Sequence, residues 1–251
     1  MDGARGFMRG GGRAVAVAAA VVVLMLLAVA PALAATQPTA LTATAGKSVV
    51  PYGGGTYVTA VLTTTSPVAP YAEEALGGQW LRFEQTLDPA AGWDLLYLVT
   101  TGAGAAYYTG TYTVAVLPEA TTTYRFVFPG TAQYEPSESN WVTVAVRPLL
   151  GRPVCPALVK RGVKFTVYGS LKPHFPAGQK LVKVRVYRLK GTKWVYVKSV
   201  SAVNRDYGSA TRYKAALRLT TAGKYRFKAT MAATAGYTAA KTGFSRTLVV
   251  K

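Results

Sequence analysis

Reactive side chains are nearly absent from this chain of 251 residues, which holds one cysteine, Cys155, and one histidine, His174. A single thiol allows no intramolecular disulfide, so the fold must rest on packed cores rather than on the bridges that small exported domains often use. A single histidine excludes multi-histidine metal centres and any His-paired nucleophile other than one built on His174 itself. That residue follows Pro173 and precedes Phe175 and Pro176, which reads as a surface loop. Acidic residues are scarce as well, ten in all. Glu73 and Glu74 are adjacent in an expected loop from Pro67 to Gly78, and Asp88 and Asp94 flank a turn. Neither arrangement suggests two carboxylates facing each other across a cleft, as glycoside hydrolysis requires. No Asp-rich calcium loop is present. The run Gly53 to Gly55 leads into a strand pattern and not a helix, so it reads as a turn rather than a phosphate loop. The expectation is a non-enzymatic chain with no cofactor and no metal site.

Long apolar runs are also missing, with one exception. Arg5, Arg9 and Arg13 precede an uninterrupted apolar stretch from Ala14 to Ala30, followed by Pro31 and then Ala32, Leu33 and Ala34. A basic start, an apolar middle and a small-x-small ending mark residues 1–34 as a secretory signal peptide, with cleavage expected after Ala34. The alternative is an uncleaved anchor, because the run approaches the roughly 20 residues that span a bilayer. No cysteine follows for a lipid anchor, and the twin arginines of folded export are missing. Cys155, between Pro153 and Pro156, has two readings: a thiol for an intermolecular bridge or covalent anchor, or a small half-buried residue where the second domain starts. The second is expected.

What the chain does contain is a repeat. Shifting it by 101 residues superposes Tyr124, Arg125 and Phe126 on Tyr225, Arg226 and Phe227. The same shift superposes Trp93 on Trp194, Tyr112 on Tyr213, and Val114 and Val116 on Ala215 and Leu217. So long a period is a whole domain and not a solenoid unit, giving domains over 35–147 and 148–251. Within each, short segments of period-two alternation are separated by Gly and Pro turns, and no window shows a convincing helical period. Leu81 and Phe83 oppose Arg82 and Glu84; Tyr124, Phe126 and Phe128 oppose Arg125 and Val127; Val182, Val184 and Val186 oppose Lys183 and Arg185. In Thr56 to Leu62 two registers compete and the facing is open. About seven such strands per domain predict an all-β fold, two tandem immunoglobulin-like β-sandwich domains. Tyr124 and Tyr225 then stand where that fold places a Tyr at the start of its sixth strand. Phe126 and Phe227 occupy the position of the second disulfide cysteine of antibodies. An aromatic contact is expected to replace the bridge.

With Tyr52-Gly53-Gly54, Gly92-Trp93, Tyr124-Arg125-Phe126 and Tyr134 in the first copy, the chain resembles the secreted tandem Ig-like repeats of high-GC Gram-positive bacteria. The second copy lacks the Tyr-Gly-Gly. The resemblance implies a secreted or extracellular protein built of modules that serve as spacers, adhesins or binding appendages, and it brings no functional residues with it.

Charge is the remaining signal. The formal net charge is +19. Residues 35–147 carry 4 basic and 8 acidic side chains, whereas 148–251 carry 22 basic side chains against Asp206 alone. Such asymmetry concerns partners rather than fold. If the third and sixth strands of the second domain are neighbours, Lys183, Arg185, Arg226 and Lys228 share one outer face and form a candidate anion-binding site. Arg212, Lys214 and Arg218 fall on the opposite face. Lysine-rich strand faces also serve simply to protect edges, but so one-sided a ratio favours an anionic partner. Export argues against a physiological nucleic acid, although binding by counterion release would occur in vitro. Anionic cell-wall polymers, lipid headgroups or glycans are the expected partners, and electrostatic retention at the cell envelope would supply attachment. The preferred function is a binding or adhesion module, the alternative a structural spacer or stalk without a specific ligand.

Overall fold

Alternation in the sequence becomes burial in the structure. Strand Thr122–Phe128 alternates between fully covered Tyr124, Phe126 and Phe128 and half-covered Thr123, Arg125 and Val127. The computed structural model describes residues 36–65, 73–102 and 109–251, so the expected signal segment 1–34 and its cleavage point lie outside the described residues.

Among the described residues ten strands enclose the first core: β1 (Thr39–Ala45), β2 (Val49–Pro51), β3 (Thr56–Thr65), β4 (Glu73–Ala75), β5 (Trp80–Thr86), β6 (Asp94–Thr100), β7 (Thr111–Val116), β8 (Thr122–Phe128), β9 (Ser137–Glu138) and β10 (Val142–Arg147). In one sheet β3 pairs with β1 along one edge and with β7 and β4 along the other. The facing sheet runs β2-β10-β8-β5-β6, with β9 added beside β8. The second core is enclosed by β11 (Leu149–Leu150), β12 (Leu158–Val159), β13 (Lys164–Lys172), β14 (Val182–Lys190), β15 (Lys193–Tyr207), β16 (Ala210–Arg218), β17 (Gly223–Met231), β18 (Ala240–Lys241) and β19 (Leu248–Val250). Here β15 changes sheets. Lys193 to Ala202 pair with β14 and Val203 to Tyr207 with β16, so one hydrogen-bonded ladder folds over on itself. Both halves are immunoglobulin-like sandwiches, two mainly antiparallel layers closed over an apolar interior.

The repeated Tyr-Arg-Phe explains how each sandwich closes without a disulfide. Phe126 and Phe227 are both fully buried. Phe126 lies 4.7 Å from the ring of Phe83, and Phe227 packs edge-on to Phe165 at 6.3 Å. Burying such a ring contributes about 1.5–3 kcal/mol. Each backbone amide also has a serine clamp: Phe126 N donates to Ser139 Oγ and Phe227 N to Ser245 Oγ. Both serines in turn donate to the next carbonyl, at Asn140 and Arg246. The Tyr225 hydroxyl donates to the Thr221 carbonyl at 2.8 Å, the tyrosine corner of this fold.

One expectation changes, and two further points are settled. The segment Pro67 to Gly78 is not wholly loop, because Glu73 and Glu74 belong to β4, which finds partners along the upper half of β3. The strand on which Trp194 lies runs on to Tyr207, since crossing to the other sheet gives its outer half a new partner in β16. In β3 the competing registers resolve in favour of Val58, Ala60 and Leu62 inward, leaving Tyr57 in solvent. Gly169 makes room for its cross-strand partner on β16: a Cβ there would overlap the ring of Tyr213, whose hydroxyl reaches past it to the Gly151 carbonyl at 2.7 Å.

One loop joins the two sandwiches. Tyr237 packs against both cores and stacks edge-on with Phe175 at 5.3 Å. Its neighbours add backbone bonds: Thr121 N donates to the Gly236 carbonyl and Thr238 N to the Val146 carbonyl, each at 2.9 Å. Burial raises the Tyr237 phenol above its ordinary value, with Tyr52 and Glu119 adding to the shift. Tyr237→Ala is therefore expected to split a single denaturant unfolding transition into two, monitored by tryptophan fluorescence. One unchanged transition would show that the linker alone couples the halves. Gly169→Ala is expected to cost about 1–3 kcal/mol by overpacking, measured from the denaturation midpoint.

Candidate anion-binding face

The outward residue of the repeated Tyr-Arg-Phe is an arginine, and in both copies it lies against a tryptophan. The Arg125 guanidinium stands 4.2 Å from the centre of a Trp93 ring, and Arg226 stands 4.6 Å from Trp194. Such stacking stabilises by about 0.5–1 kcal/mol where exposed and more where water is excluded. The tryptophans accordingly lie on the outer face of the sheet rather than in the core.

The two copies differ in what else surrounds that arginine. In the first, Arg125 Nε donates to Glu84 Oε2 at 2.8 Å and its Nη1 to Glu138 Oε1 at 2.9 Å. Arg82 closes on the other oxygen of Glu84, which is almost completely buried. The indole N–H of Trp141 also donates to Glu138, at 3.1 Å. Expected on a solvated face, Glu84 is instead a covered anion between two cations. Strand register identifies the matching positions in the second copy. Glu84 is opposite Arg125 and follows the bulge of β5, while Tyr187 is opposite Arg226 and follows the bulge of β14. Arg82 likewise matches Arg185, and Val127 matches Lys228. The offset here is 103 and not 101, because the β14–β15 hairpin turns at Gly191 where the first copy spends a 3-10 turn at Pro89–Ala91. Through the shared serine clamp, Glu138 matches Phe244. Both carboxylates have become aromatic rings, and a cation has been added.

Lys183, Arg185, Arg226 and Lys228 do come to one outer face. Strands β14 and β17 are direct neighbours, Arg185 pairs opposite Lys228, and Lys183 and Arg226 lie one step along in opposite directions. They are not equally free. Lys183 and Arg185 are exposed, but Arg226 and Lys228 are half-covered. Arg226 Nε donates to Thr247 Oγ1 at 3.0 Å while its plane rests on Trp194. Lys228 Nζ sits 4.1 Å from the Phe244 ring centre and 5.9 Å from that of Tyr187. A shared outer face does not leave all four pointing freely into solvent: aromatic neighbours hold the two β17 cations down. Tyr187, Trp194 and Phe244 are thus parts of the face that charge counting missed. The Trp repeat pointed to one of them. Phe244 was hidden because the segment before the last strand has changed length between copies.

On the opposite sheet Arg212 lies over Tyr207 at 3.6 Å and Arg218 Nε donates to the Gly162 carbonyl, while Lys214 is exposed. Asp206 Oδ1 accepts from His174 Nε2 at 3.0 Å, so the second sandwich's one carboxylate side chain is already engaged. Cys155 is buried, its thiol directed at Ser245 Oγ and the Arg246 carbonyl, and burial pushes its pKa up. That environment suits a packed residue and opposes a reactive anchor. Among the described residues no three His, Cys, Asp or Glu side chains gather as metal ligands, and no helix is long and apolar enough to cross a membrane.

No family model matches the chain, and no curated protein matches it. Solved structures do. A crystal structure of the ICAM-5 D1-D4 ectodomain fragment aligns at 15% identity with a TM-score of 0.44, covering 84% of this chain and 53% of that one. The chain thus spans about half the length of that structure.

Removing one partner of a buried ion pair strands the other charge. Glu84→Ala is expected to destabilise the protein by about 3 kcal/mol, read as a lowered denaturation midpoint. Arg185→Ala, at the exposed matching face, is expected to cost under about 0.5 kcal/mol.

Proposed function

We propose that the chain is a non-enzymatic, extracytoplasmic binding and adhesion module whose second sandwich holds anionic polymers or surfaces of the cell envelope. One observation carries this reading. On a shared scaffold the first copy neutralises its outer arginines with Glu84 and Glu138, and the second puts Tyr187 and Phe244 at those places. Arg185, Arg226 and Lys228 therefore face outward with no carboxylate among the described residues to answer them. A surface meant only to stay soluble gains nothing from ordering cations on rings. An anion-binding surface gains pre-organisation, because stacked side chains lose less freedom when a ligand arrives. The acceptors that would complete the face are then carboxylate, phosphate or sulfate groups of a partner.

Secretion enters this proposal through the expected signal segment 1–34, and envelope retention through the charge. The spacer reading draws on a different observation: Tyr237 and its loop tie the two sandwiches together, as a stalk would require. The readings part on ligand binding. Cell-envelope fragments should retain the full chain at low salt and release it as salt rises toward about half-molar, where screening shortens the reach of exposed charges to a few ångströms. Lys183→Glu with Arg185→Glu, both at exposed positions, should abolish retention while leaving thermal stability intact. Retention unchanged by that double reversal or by salt would overturn the proposal in favour of shape or hydrophobic recognition. No retention of the unaltered chain would leave the spacer.

A further inference from the structure

Resting on the proposed anion-binding function, a more specific ligand follows from two adjoining depressions on the second sandwich. The first, about 360 Å³, opens on the outer face between Arg185, Tyr187, Lys228 and Thr242. The second, about 950 Å³, lies where the second sandwich begins, between Arg147, Leu150, Lys172 and Met231. Thr230 and Lys241 line both. The strand register explains the continuity: Thr230 on β17 is opposite Lys183 on β14 at one side and opposite Lys241 on β18 at the other. Neighbouring strands are about 4.8 Å apart, so Lys183 and Lys241 bracket a strip about 10 Å wide. Arg185 and Lys228 form the next step along it.

We infer that these depressions form one channel for a linear acidic polysaccharide, which runs from Arg185 and Lys228 past Lys241 to Lys172 and Arg147. Three features select that class. First, the cations are spaced along a path rather than gathered about a point, so a single small anion could meet only part of them. Second, the walls between the cations are aromatic or apolar, with Tyr187 in the smaller depression and Leu150 and Met231 in the larger. Such walls suit the C–H faces of sugar rings, whereas a bare polyphosphate has nothing to place there. Third, the site is concave, and a flat bilayer surface cannot follow it. The Thr230 hydroxyl, held only by a long 3.5 Å bond to the Lys183 carbonyl, can turn to a sugar hydroxyl between acidic groups, whereas that of Thr242 already bonds the Ala229 amide and the Gly243 carbonyl. The polymer's carboxylate or sulfate groups take the place that Glu84 and Glu138 hold in the first sandwich.

The test is calorimetric titration of the full chain with oligogalacturonates of two, four and eight units, and with inorganic polyphosphate matched in charge to the octamer. Affinity should climb with oligomer length, and the octamer should bind at least about tenfold tighter than the matched polyphosphate. Lys172→Gln with Lys241→Gln, both exposed and outside the four residues of the outer face, should weaken octamer binding about tenfold, the sum of two exposed ion pairs. The dimer's affinity should be unchanged by that pair of substitutions. Lys172→Arg with Lys241→Arg should restore the octamer and controls for folding. If the Gln pair binds the octamer as the unaltered chain does while Arg185→Gln weakens it, the channel is overturned and the anion-binding face stands. Polyphosphate binding as tight as the octamer overturns the glycan class. Octamer binding indifferent to Arg185→Gln, or absent altogether, overturns the channel, and envelope retention lost on Lys183→Glu with Arg185→Glu would then still support the broader function.

Discussion

An arginine pressed between a sheet and a tryptophan is the interaction around which each sandwich is arranged. It works because strand alternation couples two faces: once Tyr and Phe of the Tyr-Arg-Phe run are committed to the core, the residue between them must point outward. Arg125 and Arg226 then stand over the middle of an exposed sheet, where a guanidinium needs a partner. Trp93 and Trp194, arriving where the next strand but one begins, reach across the intervening β5 and β14 to provide a face for it. The interior can therefore be held constant while the rest of the arginine's surroundings changes. Nothing in the core distinguishes a sandwich that surrounds the arginine with carboxylates from one that surrounds it with rings.

That independence accounts for the contrast between the copies. Exchange of Glu84 and Glu138 for Tyr187 and Phe244 alters no inward position, because all four lie outside the interior layer. The energetic consequences are nonetheless unequal. In the first copy Glu84 is almost fully covered, so its desolvation must be offset by two guanidinium contacts, and the cluster is a closed electrostatic unit. In the second the cations pay no comparable burial cost, since each keeps one side in water. A closed cluster stabilises its own sandwich; an open one keeps its capacity for an external anion.

Much of this was legible in the sequence. Alternation located β5, β8 and β14, and the repeat singled out β8 and β17 as the strands that carry the arginine. The neighbouring of β14 and β17 followed from the fold class and gathered Lys183, Arg185, Arg226 and Lys228. What could not be read were the features that depend on register and length. Glu84 looked solvated because period two reports which face a residue occupies, not what covers that face. Tyr187 and Phe244 were invisible as partners because they match Glu84 and Glu138 only after shifts of 103 and 106 residues, which hairpin and loop lengths set. The run of β15 as far as Tyr207 depends on a strand finding a second partner across the sandwich, a non-local event with no local signature.

The distribution of the remaining cations separates a general effect from a local one. Arg212, Lys214 and Arg218 stand on the other sheet, far in the fold from the aromatic-lined face, yet belong to the same unneutralised excess. Charges spread over both faces raise the potential around the whole sandwich and draw anionic chains toward it from any direction, an effect on encounter rate that falls with salt. They do not select a ligand. Selection needs cations whose positions are fixed relative to surfaces that a ligand can also touch, and on this sandwich that combination occurs where Arg185, Lys228 and Lys241 meet Tyr187 and the two threonines. In the binding mechanism proposed above, the broad field and the lined depression would therefore be complementary: the first would concentrate polyanions at the surface, and the second would decide which of them stays.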